Sequence, residues 1–135
     1  MNVIFNLNEN HIAQLHALYQ QEWWTKGRTL EETRNCVAGS QICIGLINTN
    51  DELIGFARVL TDFTFKALIF DVIVRENNRK TGLGERLLSL IKSHEKLQNV
   101  KHFELYCLPE MCDFYAKHGF TTDLGEIRLM RLSNA

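Results

Sequence analysis

The chain has 135 residues, 45% of them apolar, enough for one domain with a real core. Its net charge of −1 excludes a broad nucleic-acid or membrane-binding surface, and no apolar run reaches the length of a membrane span. Cys36, Cys43, Cys107 and Cys112 form no CxxC pair and no zinc spacing, and the N-terminus lacks a secretory pattern, so the chain reads as cytoplasmic, with reduced thiols and no metal site.

In chain order, Asn2 to Leu7 alternates and predicts a strand. Asn8 or Asn10 caps a helix running to about Gln21, with Ile12, Leu15, Leu18 and Tyr19 along one side. Trp23 to Arg28 connects to a short helix, which opens on a Thr29/Glu32 capping box and ends near Gly39. Gln41–Asn48 and Glu52–Leu60 are apolar strands joined by hairpin residues 49–51. Ala67–Val74 is a third apolar strand, and Glu85–Leu97 is a helix that buries Leu87, Leu88, Leu90, Ile91 and Leu97. Val100–Cys107 reads as a strand and Pro109 starts a helix stopped by Gly119. Glu126–Leu132 reads as a final strand, with Ile127, Leu129 and Met130 apolar. No linker or repeat divides residues 1–135, and the irregular mixing of strands and helices predicts one mixed sheet.

The segment Arg79-Lys80-Thr81-Gly82-Leu83-Gly84 joins strand to helix. Its glycines let backbone approach a ligand, and unpaired amides at a helix start favour phosphate. Arg75, Arg79, Lys80 and Arg86 add positive charge. A dinucleotide fingerprint fails because Leu87 stands where the third glycine belongs, and an ATP-type loop fails because Lys80-Thr81 precedes Gly82. An Arg-x-x-Gly-x-Gly element remains, and about thirty residues on stands Phe114-Tyr115-Ala116-Lys117-His118-Gly119-Phe120. Together, in this order, they resemble the GCN5-related N-acetyltransferase (GNAT) family.

The resemblance implies an α/β (α+β) fold: a single mixed, mostly antiparallel sheet of about 6–7 strands flanked by about four helices. It implies an N-acetyltransferase that moves the acetyl group of acetyl-coenzyme A to a primary amine of a small molecule or peptide, without metal, and it allows a homodimer. The backbone of Val72, Ile73 and Val74 would hold the pantetheine arm, and Arg79, Lys80, Thr81, Gly82, Leu83, Gly84 and Glu85 the pyrophosphate. Tyr115 would be the general acid; its plain alternative is a core aromatic.

Asp71 matches the second member of an acidic pair whose first member is replaced by Phe70. It is either a catalytic carboxylate or a structural one, and strict alternation sets it opposite Phe70. Trp23, Trp24, Arg28, Phe70 and Asp62 are candidates for the acceptor side, with core anchors and a turn residue as the plain alternatives for the tryptophans and Asp62. Leu108 stands where many relatives carry asparagine. Phe70 and Leu108 leave a second reading open, a weakly active acyl-coenzyme A sensor or partner-docking module.

Overall fold

The computed structural model describes residues 1–134. The order is β1 (Asn2–Ile4), α1 (Glu9–Tyr19), α2 (Leu30–Ala38), β2 (Ile42–Ile47), β3 (Leu53–Thr61), β4 (Lys66–Val74), α3 (Leu83–Lys92), β5 (His102–Leu105) and α4 (Cys112–Ala116). Local chemistry fixes the helix starts. Asn8 Oδ1 accepts the His11 amide at 2.9 Å, and the Thr29/Glu32 capping box forms in both directions, at 3.0 and 2.8 Å.

The five strands lie in the order β1-β2-β3-β4-β5. All neighbours are antiparallel except β4 and β5, which are parallel. One face packs on α3, where Leu87, Leu88 and Ile91 meet Ile44, Leu46, Ala57, Val59 and Ile69. The other packs on α1, where Leu15, Leu18 and Tyr19 meet Phe56 and Ile73. Each fully buried leucine or isoleucine contributes about 1.5–3 kcal/mol, so the α3 seam alone anchors the helix firmly. β2 is covered on both faces, which explains its unbroken apolar run Ile42–Ile47.

Two departures from regular pairing shape the sheet. Arg58 pairs with Phe70 and Phe56 with Ile73, so Asp71 and Val72 together face the single residue Ala57. This is a β-bulge, with Asp71 in the left-handed region at φ 56°. Aspartate tolerates that region better than most residues, though holding it there costs on the order of 1–3 kcal/mol. The second departure is a fork. The last β4–β5 pair is Ile69 with Leu105, and β4 runs on to Val74 with no β5 residue beside it.

The sheet has five strands rather than six or seven. The strand expected over Glu126–Leu132 is absent: those residues form no ladder and lie exposed. Sequence alternation supplied the strand pattern, but nothing among the described residues lies alongside to complete it.

Candidate active site

The α3 mouth begins at Gly82, whose φ of 82° and ψ of 12° place it in the left-handed region. No side chain caps the helix there. The amides of the first turn therefore face outward, with the helix dipole behind them. A Cβ built on Gly82 would meet nothing within 4 Å, so this backbone opens directly on space. Gly84 is different: its Cβ would stand 3.5 Å from Phe114 Cζ. At that distance a methyl group would make ordinary van der Waals contact, so the packing of α4 does not by itself demand glycine there.

Of the basic residues, Arg79 is committed elsewhere. Its guanidinium pairs with Glu22 and leans on the Val74 carbonyl. Lys80 is exposed, with φ 65°, and Thr81 Oγ1 donates to the Asn78 carbonyl. Gln21 also clamps the β4 end, donating to the Val74 carbonyl at 2.9 Å and accepting the Glu76 amide at 3.1 Å. Gln21 and Glu22 escaped the sequence reading because their partners lie more than fifty positions away.

The fork adjoins this mouth. Val72, Ile73 and Val74 lie beyond the last β4–β5 pair, so no strand covers their backbone edge on that side, although the Val74 carbonyl is already taken by Gln21 and Arg79. Phe70 and Tyr106 follow the last paired residues and stack edge-to-face across the opening, 5.5 Å between centroids. Tyr115 packs between Phe114 and Phe120 at 5.1 and 5.9 Å. Its hydroxyl has no hydrogen-bond partner among the described residues. No wholly buried side-chain oxygen or nitrogen is left unpaired there either, so this hydroxyl reaches accessible space. Burial, then the nearby Cys107 thiol, pushes the phenol up to about 12. It keeps its proton at neutral pH. Cys107 and Cys112 Sγ lie 3.9 Å apart beside it.

Asp71 does not face away from Phe70. The bulge turns both onto the α1 side, against the expectation from strict alternation. There Asp71 is buried and saturated. Oδ2 accepts from Tyr19 Oη at 2.8 Å, Arg28 Nη1 at 2.7 Å and Arg58 Nε at 2.7 Å; Oδ1 accepts from Arg28 Nη2 at 3.2 Å. Burial works to raise the carboxyl, but hydrogen bonds and charge from Arg28 and Arg58 outweigh it and hold it below the usual carboxylate range. Burial and the Asp71 charge push the Tyr19 hydroxyl up. A carboxylate so held is a poor proton acceptor, which removes Asp71 from the role of general base. Arg58 escaped the sequence reading, although its signal was present: a charge inside the apolar strand Leu53–Thr61.

The remaining acceptor candidates divide. Arg28 belongs to the Asp71 cluster and lies over the Tyr19 ring at 4.5 Å. Trp23 and Trp24 are 71% and 41% exposed, so neither is a core anchor; Thr25, fully buried, holds that segment by donating to the Tyr19 carbonyl at 2.7 Å. Asp62 closes the β3–β4 turn. Its Oδ1 accepts the amides of Thr64, Phe65 and Lys66 at 2.8–3.1 Å, the pattern of a turn residue. Among the described residues no group of three or more His, Cys, Asp or Glu is placed to hold a metal, and no helix is long and apolar enough to cross a membrane.

The fold is one mixed sheet, forked beside an uncapped, glycine-opened helix mouth. The profile described as "Acetyltransferase (GNAT) domain" matches residues 38–122, and the chain belongs to this family. It is 30% identical to an uncharacterized N-acetyltransferase, ycf52, of Porphyra purpurea, over 93% of this chain and 73% of that protein. A GNAT-family acetyltransferase structure from Xanthomonas campestris superposes with a TM-score of 0.83 at 26% identity, covering 98% of this chain and 92% of that one. An aminoglycoside 6'-N-acetyltransferase solved with coenzyme A shares the fold at a TM-score of 0.62 and 21% identity, over 73% of this chain and 57% of that one.

Proposed function

We propose that the chain is a single GNAT domain spanning residues 1–135, which transfers the acetyl group of acetyl-coenzyme A to a primary amine within a ternary complex. The observation that carries this reading is the open Gly82 position at the mouth of α3, next to the edge Val72–Val74 that β5 leaves without a partner strand. The amides of Lys80 to Glu85 suit a pyrophosphate, and that strand edge suits the amide groups of a pantetheine arm. Bound acetyl-coenzyme A supplies an activated thioester.

The residues of the chain then do three things. The fork holds donor and acceptor side by side, which removes much of the entropic barrier. Tyr115 presents a protonated phenol to the leaving sulfur. The amine sheds its proton through water to solvent, since Asp71 is not available to take it.

On the acceptor side Phe70, Tyr106, Arg28 and Arg58 form the wall. Two guanidiniums face one carboxylate there, a surplus of one positive charge in a largely buried cluster. Such a surplus favours an acceptor that carries an acidic group besides its amine. The four free thiols fit a cytoplasmic or other reducing compartment.

A panel assay of thiol release tests the reading, with amino acids, amino-sugar phosphates, polyamines, arylamines and peptides as acceptors. Acetyl-coenzyme A-dependent release with at least one amine is expected. Saturable coenzyme A binding with no release on any of them would instead favour the sensor or docking reading, which Phe70 and Leu108 in place of polar family residues support.

A further inference from the structure

The short segment between β5 and α4 carries two cysteines that meet. Pro109 fixes the start of a single 3₁₀ turn over Pro109–Met111, and the Leu108 carbonyl accepts the Met111 amide at 2.9 Å. The turn folds the chain back, so Cys107, just past the end of β5, lies beside Cys112, the first residue of α4. Their Sγ atoms are 3.9 Å apart. Cys107 is exposed and Cys112 half-buried, so small molecules can reach the pair. The other two thiols are engaged inside the fold: Cys36 donates to the Thr33 carbonyl at 3.3 Å, and the buried Cys43 to the Val37 carbonyl at 3.7 Å.

The pair stands at the fork. Tyr106, between β5 and Cys107, meets Phe70 across the opening at 5.5 Å between centroids. Tyr115 follows Cys112 on α4, and the Cys107 sulfur is near enough to act on its phenol. A bond between the sulfurs would bring 3.9 Å down to about 2 Å. That closure has to be taken up by the segments that carry Tyr106 and Tyr115.

We propose that Cys107 and Cys112 are a reversible modification site, bridged by reaction with a small-molecule disulfide, and that the bridge displaces Tyr115 and lowers acetyl transfer. The effect on transfer rests on the acetyl-transfer reading; the bridge itself does not. One protein thiolate attacks the small disulfide, forms a mixed disulfide and releases one small thiol. The second protein thiolate then attacks the protein sulfur of that adduct and releases the other small thiol. Two protein thiols are oxidised, the small disulfide is reduced to two thiols, and the two protein protons leave with them. Burial, then the Cys112 sulfur, pushes the Cys107 thiol up, which slows its attack, so the pair closes under oxidising challenge rather than at rest. Because the two sulfurs already face each other, the second attack is intramolecular and fast.

Incubation of the reduced chain with oxidised glutathione tests this. The intact mass should fall by that of two hydrogen atoms, two of the four thiols should stop reacting, and digestion should leave Cys107 joined to Cys112. Dithiothreitol should reverse all three. Cys112→Ser should stop at a glutathione adduct on Cys107. In tyrosine-ring NMR the Tyr115 signal should shift in the bridged parent and stay in place in the Cys107→Ser, Cys112→Ser double variant under the same treatment. Turnover of the bridged parent should fall on the order of 100-fold, the cost of a small misplacement at a reacting centre, while the double variant keeps its turnover with and without oxidant. Four reactive thiols after treatment would overturn the proposal, as would a stable glutathione adduct on the parent or a bridge between chains. So would a bridge that leaves the Tyr115 signal in place, or leaves the turnover of an active chain unchanged. The mass and ring readouts need no turnover, so they decide the bridge even where the reduced chain transfers no acetyl group.

Discussion

Tyr19 donates its hydroxyl proton to Asp71 Oδ2 at 2.8 Å, joining helix α1 to the bulge of β4 across 52 positions of chain. Arg28 and Arg58 complete the same carboxylate, so the α1–α2 connection and strand β3 converge on one buried charge.

Asp71→Asn should therefore destabilise the fold by about 3 kcal/mol, because two guanidiniums lose the charge that compensates them. Urea denaturation of both proteins measures it. A variant within a few tenths of a kcal/mol of the parent would mean that the cluster is dispensable.

The same carboxylate gives a pH signature. Its folded pKa lies below the unfolded value of about 3.9, so its contribution is fully present above that value and fades as pH falls through the lower folded one. Below about pH 4 the parent should lose stability more steeply than Asp71→Asn. Parallel acid limbs in the two unfolding curves would show that Asp71 is not the group responsible.

Gly82→Val should abolish acetyl-coenzyme A binding, since a branched side chain would fill the open space over the helix mouth. Placing valine at a positive φ also costs about 1–2 kcal/mol, so thermal melting must first show a folded protein. Calorimetry that found parental affinity in that folded variant would refute the cradle.

Tyr115→Phe should lower kcat about 100-fold with little change in coenzyme A affinity, as expected when a proton donor is removed and the ring stays. Stopped-flow thiol detection gives both numbers. Equal turnover would make the tyrosine a packing residue only.

Arg28→Gln removes the surplus charge of the wall proposed for the acceptor. It should cut kcat/KM for an amine bearing a carboxylate or phosphate about tenfold more than for a neutral amine of the same size. An equal loss on both would mean that Arg28 acts on the fold and not on the acceptor.

Much of this was legible in the sequence because it is local. The Thr29/Glu32 box, the buried face of α3, the glycine opening at Gly82 and the stop at Gly119 each depend on residues within a few positions of one another. The long-range features were not. Alternation alone assigned Asp71 to the wrong face, because the bulge depends on how β3 pairs with β4 and on guanidiniums 13 and 43 positions away. For Trp23 and Trp24 the sequence leaves an acceptor wall and a core anchor both open; burial of Thr25, which holds that segment, leaves the two rings outside the core. The pattern of Glu126–Leu132 is a strand pattern, and periodicity cannot say which neighbour, if any, will complete it.

The doubled position opposite Ala57 sets the parity of β4. Upstream, Ala67 and Ile69 point toward α3; downstream, Val72 and Val74 do, while Ile73 joins the α1 side. Removing one residue at 71 would mend the ladder without shortening the strand noticeably. It would also withdraw the carboxylate on which Tyr19, Arg28 and Arg58 converge and leave two cations facing each other across the cleft wall. For β4, then, an indel of one is a larger event than most substitutions.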